Sequence, residues 1–239
     1  MLERKSNREI KINWYQDKAV VNTYEALRFG SSSGLWVAEA EKHVVRLLMD
    51  KVGHLYYSIA LDIPTGTGRM IPLLMEKYSR VLVCDTSFEM LKKAGQHRAS
   101  SYYLADAMHL ALLSESIDLI LCVRFLFHHR DLSPFFKEMS RILKPGGVLI
   151  SDVYNWTPRV LIPGNQETMG GRVYLHRKKK ITEFAFRHGF EIVSNRGLFF
   201  ITPFVYRFMP LLLVKFIETI GHIIFFGHKT KTYYLLRKR

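Results

Sequence analysis

Short apolar runs alternate with amphipathic stretches through the middle of this chain. Ser58-Ile59-Ala60-Leu61, Val81-Leu82-Val83-Cys84, Tyr102-Tyr103-Leu104, Ile117 to Val123 and Val148 to Asp152 each read as strands. The segments between them are competent to form helices, so residues 57–153 predict a parallel sheet with helices on both faces. In such a sheet the ligand site lies at the carboxyl ends of the strands. Upstream, residues 1–12 read as a polar arm. Trp14 to Phe29 carries apolar and aromatic residues at helical spacing, Gly30 to Gly34 reads as a loop, and Leu35 to Leu48 as a second amphipathic helix. Downstream, Tyr154 to Arg159 is irregular, and Pro163-Gly164-Asn165 and Gly170-Gly171 mark a loop. Ile181 to His188 is helical, Phe190 opens a strand, and Thr230 to Arg237 reads as the last one.

The strand ends carry the chemistry. Leu61-Asp62-Ile63-Pro64-Thr65-Gly66-Thr67-Gly68-Arg69 joins a buried strand to the helix-competent run Met70 to Met75 through a glycine turn. Glycines 66 and 68 lack the Cβ atoms that would hold a ligand off the backbone, and the helix start offers unpaired N–H groups. The dinucleotide spacing G-x-G-x-x-G is incomplete, because Ile71 stands where the third small residue belongs. The second strand ends in Asp85, suited to accept from two ribose hydroxyls. The third ends at Ala105-Asp106-Ala107, and the fifth follows the turn Leu143-Lys144-Pro145-Gly146-Gly147.

With these five motifs in order, the chain resembles the class I S-adenosylmethionine-dependent methyltransferases, closely over residues 55–155 and more loosely in the flanks. The resemblance implies an α/β, Rossmann-like, doubly wound sheet of seven mostly parallel strands with an antiparallel last strand. It further implies an N-terminal helical cap over residues 1–54, a methyltransferase domain over 55–239 and an apolar insertion at 198–229. S-adenosyl-L-methionine is the implied cofactor. Asp62 and the turn Pro64-Thr65-Gly66-Thr67-Gly68-Arg69 would hold its methionine portion, Asp85 and Thr86 its ribose. Asp106 and Ala107 would meet the adenine amino group, with Met90 against the ring and Val123 adding to the lining. Where the family usually has glycine, this chain has Pro64, which fixes φ and removes a donor, so Thr65 and Gly66 must supply the N–H groups of the turn.

The fourth strand leads into Arg124-Phe125-Leu126-Phe127-His128-His129-Arg130. His129 or His128 is the candidate general base, since imidazole titrates near neutrality; the competing reading is a pair that caps or packs. Tyr15, Arg28, Arg124 and Trp156 are candidate acceptor-binding residues, with Asp152 a further lining candidate. Tyr24 reads rather as packing for the cap. The loop after the fourth strand lacks the Asn/Asp-Pro-Pro-Tyr pattern of enzymes that methylate amide or adenine nitrogen, and neither Cys84 nor Cys122 has the neighbouring proline of a cytosine-C5 nucleophile. The ten histidines are not grouped with other ligands, so no metal is expected.

Charge and the C-terminal third bear on the partner. A formal net charge of +14 predicts attraction to anionic surfaces. The basic residues cluster at Arg4 to Arg8, Arg177 to Lys180, and Lys229-Thr230-Lys231 with Arg237-Lys238-Arg239; the plain alternative is solvated faces. Leu198 to Phe226 is rich in phenylalanine but interrupted by Arg207, Lys215, Glu218 and His222, which argues against a membrane span. On a helix from Leu211, Lys215, Glu218, Thr219 and His222 form one narrow polar stripe, leaving a wide apolar face for the core, an oligomer interface or a membrane surface. Two cysteines without a C-x-x-C and an N-terminus without an apolar leader point to a cytoplasmic protein, peripheral on the inner face of a membrane if the lipid reading holds. The expected function is methyl transfer to a small lipophilic acceptor of quinone, polyprenyl or lipid type. The alternatives are an RNA methyltransferase and a cofactor-binding regulatory subunit without turnover.

Overall fold

The computed structural model describes residues 7–53, 58–161, 170–224 and 229–239, the side chains of 222–224 excepted. The Arg4-Lys5 cluster, the 54/55 boundary, the Pro163-Gly164-Asn165 loop, the His222 side chain and Phe225-Phe226 lie outside the described residues.

Seven strands form one sheet: β1 (Ile59–Asp62), β2 (Arg80–Asp85), β3 (Ser101–Leu104), β4 (Ile117–Cys122), β5 (Leu143–Tyr154), β6 (Phe190–Leu198) and β7 (Lys231–Lys238). Their order is β3-β2-β1-β4-β5-β7-β6. The five strands from β3 to β5 are mutually parallel, whereas β7 runs antiparallel to both of its neighbours. This is the doubly wound, mostly parallel fold expected from the strand–helix alternation. Strands β1, β2 and β4 are apolar at almost every position because helices cover both faces, giving one large buried cluster on each side of the sheet.

The N-terminal segment departs from the sequence expectation. The single helix read over Trp14 to Phe29 is two, α1 (Asn7–Gln16) and α2 (Lys18–Phe29). Asp17 ends the first and caps the second, its carboxylate accepting from the Ala19 N–H at 2.7 Å. Half of the supposed polar arm is therefore helical, and Lys11 on it is buried. Ser31 caps α3 (Ser32–Asp50) by accepting from the Gly34 N–H. Helices α4 (Ile71–Met75), α5 (Phe88–Ala94), α6 (Ser133–Ile142) and α7 (Lys178–Arg187) complete the layers around the sheet.

Between β6 and β7 lie α8 (Pro203–Tyr206) and α9 (Leu211–Ile224). The polar stripe read on α9 is split. Glu218 turns inward, 8% exposed, and accepts from the Phe200 N–H at 2.7 Å and the Tyr206 hydroxyl at 2.5 Å. Phe199, Tyr206 and Val214 are buried beside it against Phe29 and α3. Phe208, Leu212 and Phe216 instead stand 61–82% exposed. A buried carboxylate draws its own face of α9 into the protein, because two hydrogen bonds compensate its desolvation. Among the described residues no helix is long and apolar enough to cross a membrane.

Candidate functional site

The carboxyl ends of β1, β2, β3 and β4 open into one cavity of about 310 Å³. Asp62, Pro64, Thr65, Gly66, Thr67, Arg69, Asp85, Thr86, Met90, Asp106 and Val123 all line it, so most residues of the glycine-turn reading converge on one space. The Ile63–Pro64 peptide bond is cis. The turn after it is satisfied as the missing proline donor requires: the Thr65 N–H donates to the Cys84 carbonyl at 2.8 Å, and the Gly66 N–H to Asp85 Oδ2 at 2.8 Å.

The two glycines do different jobs. Gly66 has φ +55°, and a Cβ there would meet nothing within 4 Å, so its bare face leaves room beside the cavity. Gly68 has φ +87° and faces protein: a Cβ there would come within 2.9 Å of Ala94 Cα and 2.7 Å of the His97 ring. It packs the turn on α5 and does not line the cavity.

Burial dominates the electrostatics of the acids. Desolvation pushes the Asp62 carboxyl up to about 7, with the Asp85 charge adding to the shift and the Thr65 hydroxyl, 2.7 Å away, opposing it. Desolvation also raises Asp85 to about 6, against the Ser87 and Gly66 N–H groups that it accepts from. Asp106 accepts from the Met108 N–H at 3.0 Å and pairs with Arg8 of α1.

Helices α1 and α2 form the other wall. Tyr15 lines the cavity, as expected, but so does Tyr24, which the sequence reads as packing. Asn7, Arg8, Lys11 and Ile12 line it as well. No motif marks them; the only signal is that Lys11 shares a helical face with Arg8 and Tyr15. The Lys11 ammonium donates to the carbonyls of His128 (2.8 Å) and Arg172 (2.6 Å), and burial brings it down to about 7. The helices are tied to the turn by polar contacts: Thr67 hydroxyl to Glu25 (2.5 Å) and Ser87 hydroxyl to the Tyr15 carbonyl (2.6 Å).

His128 and His129 both line the cavity. Burial lowers both imidazoles, with Lys11 the next cause, His129 to about 4 and His128 well below the ordinary range. Both rings are therefore neutral at physiological pH and weaker bases than a free imidazole. His128 stands edge-to-face with Tyr15 at 5.7 Å, and its Nδ1 is buried without a hydrogen-bond partner.

Besides Gly68, four sequence candidates lie elsewhere. Trp156 is 45% exposed, because the backbone turns after β5 to donate from Asn155 and Trp156 to the Thr230 carbonyl. Ala107 is buried in the core, turned inward by the Asp106–His109 bridge. Arg28 lines a smaller neighbouring cavity. Asp152 is fully buried and lines neither; it accepts from the Arg124 N–H at 2.5 Å and faces Lys231 at 2.9 Å.

Beneath the turn lies a charge network with no sequence motif. Glu41 of α3, fully buried, meets Arg69 (2.5 Å), Arg124 (3.0 Å) and Lys231 (2.6 Å). The β5–β7 register pairs Asp152 with Tyr233 and Tyr154 with Lys231, which sets Lys231 beside Asp152. Burial alone would raise the Glu41 carboxyl; Arg124, Lys231 and Arg69 override it and hold the group well below the carboxylate range. Arg69 and Arg124 also stand within 5 Å of the Phe29 ring centre, so α2 and α3 together position two of the arginines that line the cavity. Lys231, expected in a surface basic cluster, is fully buried, and Lys229 and Lys238 of the same cluster pair with Glu218 and Glu115. Cys84 and Cys122 are buried free thiols whose pKa is raised by desolvation. Among the described residues no three His, Cys, Asp or Glu gather as a metal site would require.

Residues 61–151 match the family model described as methyltransferase domain. The chain is 37% identical over 114 residues to the malonyl-(acyl-carrier protein) O-methyltransferase of Hamiltonella defensa, an alignment covering 47% of this chain and 44% of that protein. It is 26% identical over 106 residues to the demethylmenaquinone methyltransferase of Thermobifida fusca, covering 42% and 45%. The alignments thus span about half the length of these curated relatives. Among solved structures, the geranyl diphosphate C-methyltransferase of Streptomyces coelicolor, in complex with Mg2+, geranyl diphosphate and S-adenosyl-L-homocysteine, superposes with a TM-score of 0.66. That likeness covers 100% of both chains at 17% identity and is one of fold.

Proposed function

We propose, starting from a chain that belongs through residues 61–151 to the class I S-adenosylmethionine-dependent methyltransferases, that it methylates a small lipophilic acceptor in the cavity at the strand ends. The observation that carries this reading is the convergence of Asp62, Gly66, Asp85, Asp106 and Val123 with Tyr15, Tyr24 and His128 around one space. The residues fit the cofactor: Gly66 leaves open space in the turn, and two buried acids stand ready to accept hydrogen bonds. On this reading Asp85 accepts from the ribose hydroxyls, Asp62 and the turn hold the methionine portion, and Met90 and Asp106 meet the adenine. When bound, the cofactor supplies an electrophilic methyl group on a sulfonium.

The protein's own contribution is orientation and exclusion of water. Tyr15, Tyr24 and Ile12 give the acceptor side an apolar and aromatic wall. The neutral imidazole of His129 or His128 can accept a proton from the acceptor, though its lowered basicity makes it a match for an acceptor that is itself acidic, such as a phenol or an activated carbon. The exposed Phe208, Leu212 and Phe216 support a lipophilic partner. The RNA alternative is weakened by the burial of Lys231 and the pairing of Lys229, Lys238 and Arg8, which leave fewer cations for phosphates. Incubation with methyl-labelled S-adenosylmethionine and fractionated cell extract tests the proposal. Label in the lipid-soluble fraction supports it; label in RNA or protein, or no transfer at all, overturns it.

A further inference from the structure

A second, smaller cavity adjoins the first and shares Arg124 with it. Four arginines meet there from four parts of the chain: Arg28 at the end of α2, Arg124 after β4, Arg159 in the turn after β5 and Arg207 after α8. Tyr154 and Thr157 complete its polar lining, and among the described residues no carboxylate lines it. Arg124 is engaged by Glu41. Among the described residues neither Arg28 nor Arg207 has an ion pair. Arg28 stacks on the Tyr24 ring at 4.5 Å, and Arg207 on Phe204 and Phe208 at 4.7 and 4.4 Å. Arg207 Nε is buried with no hydrogen-bond partner.

Guanidinium groups do not relieve such crowding by losing protons; they stay charged at any physiological pH. Burial, and after it Arg28, lowers Arg159, while burial followed by Arg28 and Arg159 lowers Arg207, so these cations repel one another across the cavity. An anion would relieve that repulsion and satisfy the orphaned Nε. One carboxylate, with two oxygens and a single charge, is matched by one guanidinium fork. A set of three or four forks matches a group with more oxygens and more charge, which is a phosphoryl group. On its outer side the cavity is walled by Phe204, whose ring meets Phe208 at 6.1 Å, and Phe208 opens the exposed apolar face of α9. Arg124 thus links the methyl-transfer cavity to the cation cluster, and Phe204 links that cluster to the exposed Phe208.

We propose that this cavity seats a phosphoryl group carried by the methyl acceptor, held by Arg28, Arg159 and Arg207, with Arg124 as the wall towards the cofactor. The inference rests on the methyltransferase reading above and narrows its acceptor to a phosphate- or diphosphate-bearing amphiphile.

Calorimetry on the full chain tests it with inorganic diphosphate as the probe and S-adenosylhomocysteine as an independent second ligand. The expected result is saturable diphosphate binding that weakens at least tenfold in Arg207→Gln and in Arg159→Gln and only partly in Arg207→Lys, with S-adenosylhomocysteine affinity kept within twofold. Because Arg207→Gln removes a like charge, its melting temperature stays at or above that of the unmodified protein, and diphosphate raises the melting temperature of the unmodified protein more than that of either Gln variant. Phosphatidylcholine vesicles with and without phosphatidic acid separate the two sources of the group. Retention on the acidic vesicles, reversed by diphosphate, identifies a lipid headgroup; diphosphate binding without vesicle binding identifies a soluble phosphate ester. Absence of diphosphate binding, or equal binding in both Gln variants, overturns the inference. Failure to bind S-adenosylhomocysteine would overturn the methyltransferase reading instead, leaving the diphosphate result to judge the arginine site by itself.

Discussion

Glu41→Gln is the sharpest perturbation of the frame that holds the site. It keeps the shape of the side chain and removes one charge. The carboxylate is fully buried, its partners Arg69, Arg124 and Lys231 are 16%, 11% and 0% exposed, and among the described residues Asp152 is the one other carboxylate paired in the network. Without Glu41, three buried cations face one anion. Breaking a buried ion pair from one side costs about 3–5 kcal/mol, because the stranded partner stays desolvated. For a domain of this size that corresponds to a fall in melting temperature of about 6–20 °C. Urea unfolding followed by circular dichroism measures the loss directly. Glu39 on the same helix is the internal control: it is 69% exposed and pairs with Lys42, so Glu39→Gln should change stability by less than about 1 kcal/mol. In the double variant Glu41→Gln/Lys231→Met the loss should fall short of the sum of the singles, because the two groups are in direct contact. A Glu41→Gln loss no larger than that of Glu39→Gln would refute the reasoning and mean that water reaches the network.

Three further outcomes follow from the site. Asp85→Ala should weaken S-adenosylhomocysteine binding by about 1.5–3 kcal/mol in calorimetry, the worth of hydrogen bonds to a charged acceptor; unchanged affinity would place the ribose elsewhere. Asp62 and Asp85 have folded values of about 7 and 6 against an ordinary 3.8, so their contribution to the stability of the cofactor-free protein is full at low pH and is lost as pH rises through that window. A ligand that uses both ionised acids should conversely bind about a hundredfold more tightly at roughly pH 7.5 than at pH 5.5, with proton release detectable by calorimetry in buffers of different ionisation heat; pH-independent binding would count against it. Gly66→Ala should cost about 1–2 kcal/mol of stability from its positive φ alone while weakening the cofactor, whereas Gly68→Ala should cost more stability because backbone at Ala94 blocks it. Equal effects of the two on cofactor affinity would contradict their separate roles.

The glycine turn and the strand-end acids are legible in the sequence because strand, turn and helix are consecutive there, so a local pattern specifies a local geometry. The sheet is legible for the same reason: its buried strands are apolar at almost every position. What is not legible is made by contacts between distant residues. Glu41 reads as a polar position on an amphipathic helix and Lys231 as part of a basic run, yet they meet across 190 positions of sequence. Arg159 and Arg207 sit in irregular segments where nothing local tells a cavity-lining arginine from a solvated one. Trp156 shows the converse: it follows a site-bearing strand, but one turn of backbone carries it outward.

Helix α1 has a further consequence. Its one buried side chain is a lysine, and among the described residues it adds nothing to the three apolar clusters. It is fastened over the cavity by Lys11, Arg8, Asn7 and the Tyr15 carbonyl, contacts that water can replace one for one. Lifting this flap would break these polar contacts and the Tyr15 ring contacts with Tyr24 and His128, while leaving the three apolar clusters covered. Passage of molecules in and out is thermodynamically separate from unfolding, and a substitution that loosens α1 changes exchange rates while leaving the melting point nearly where it was.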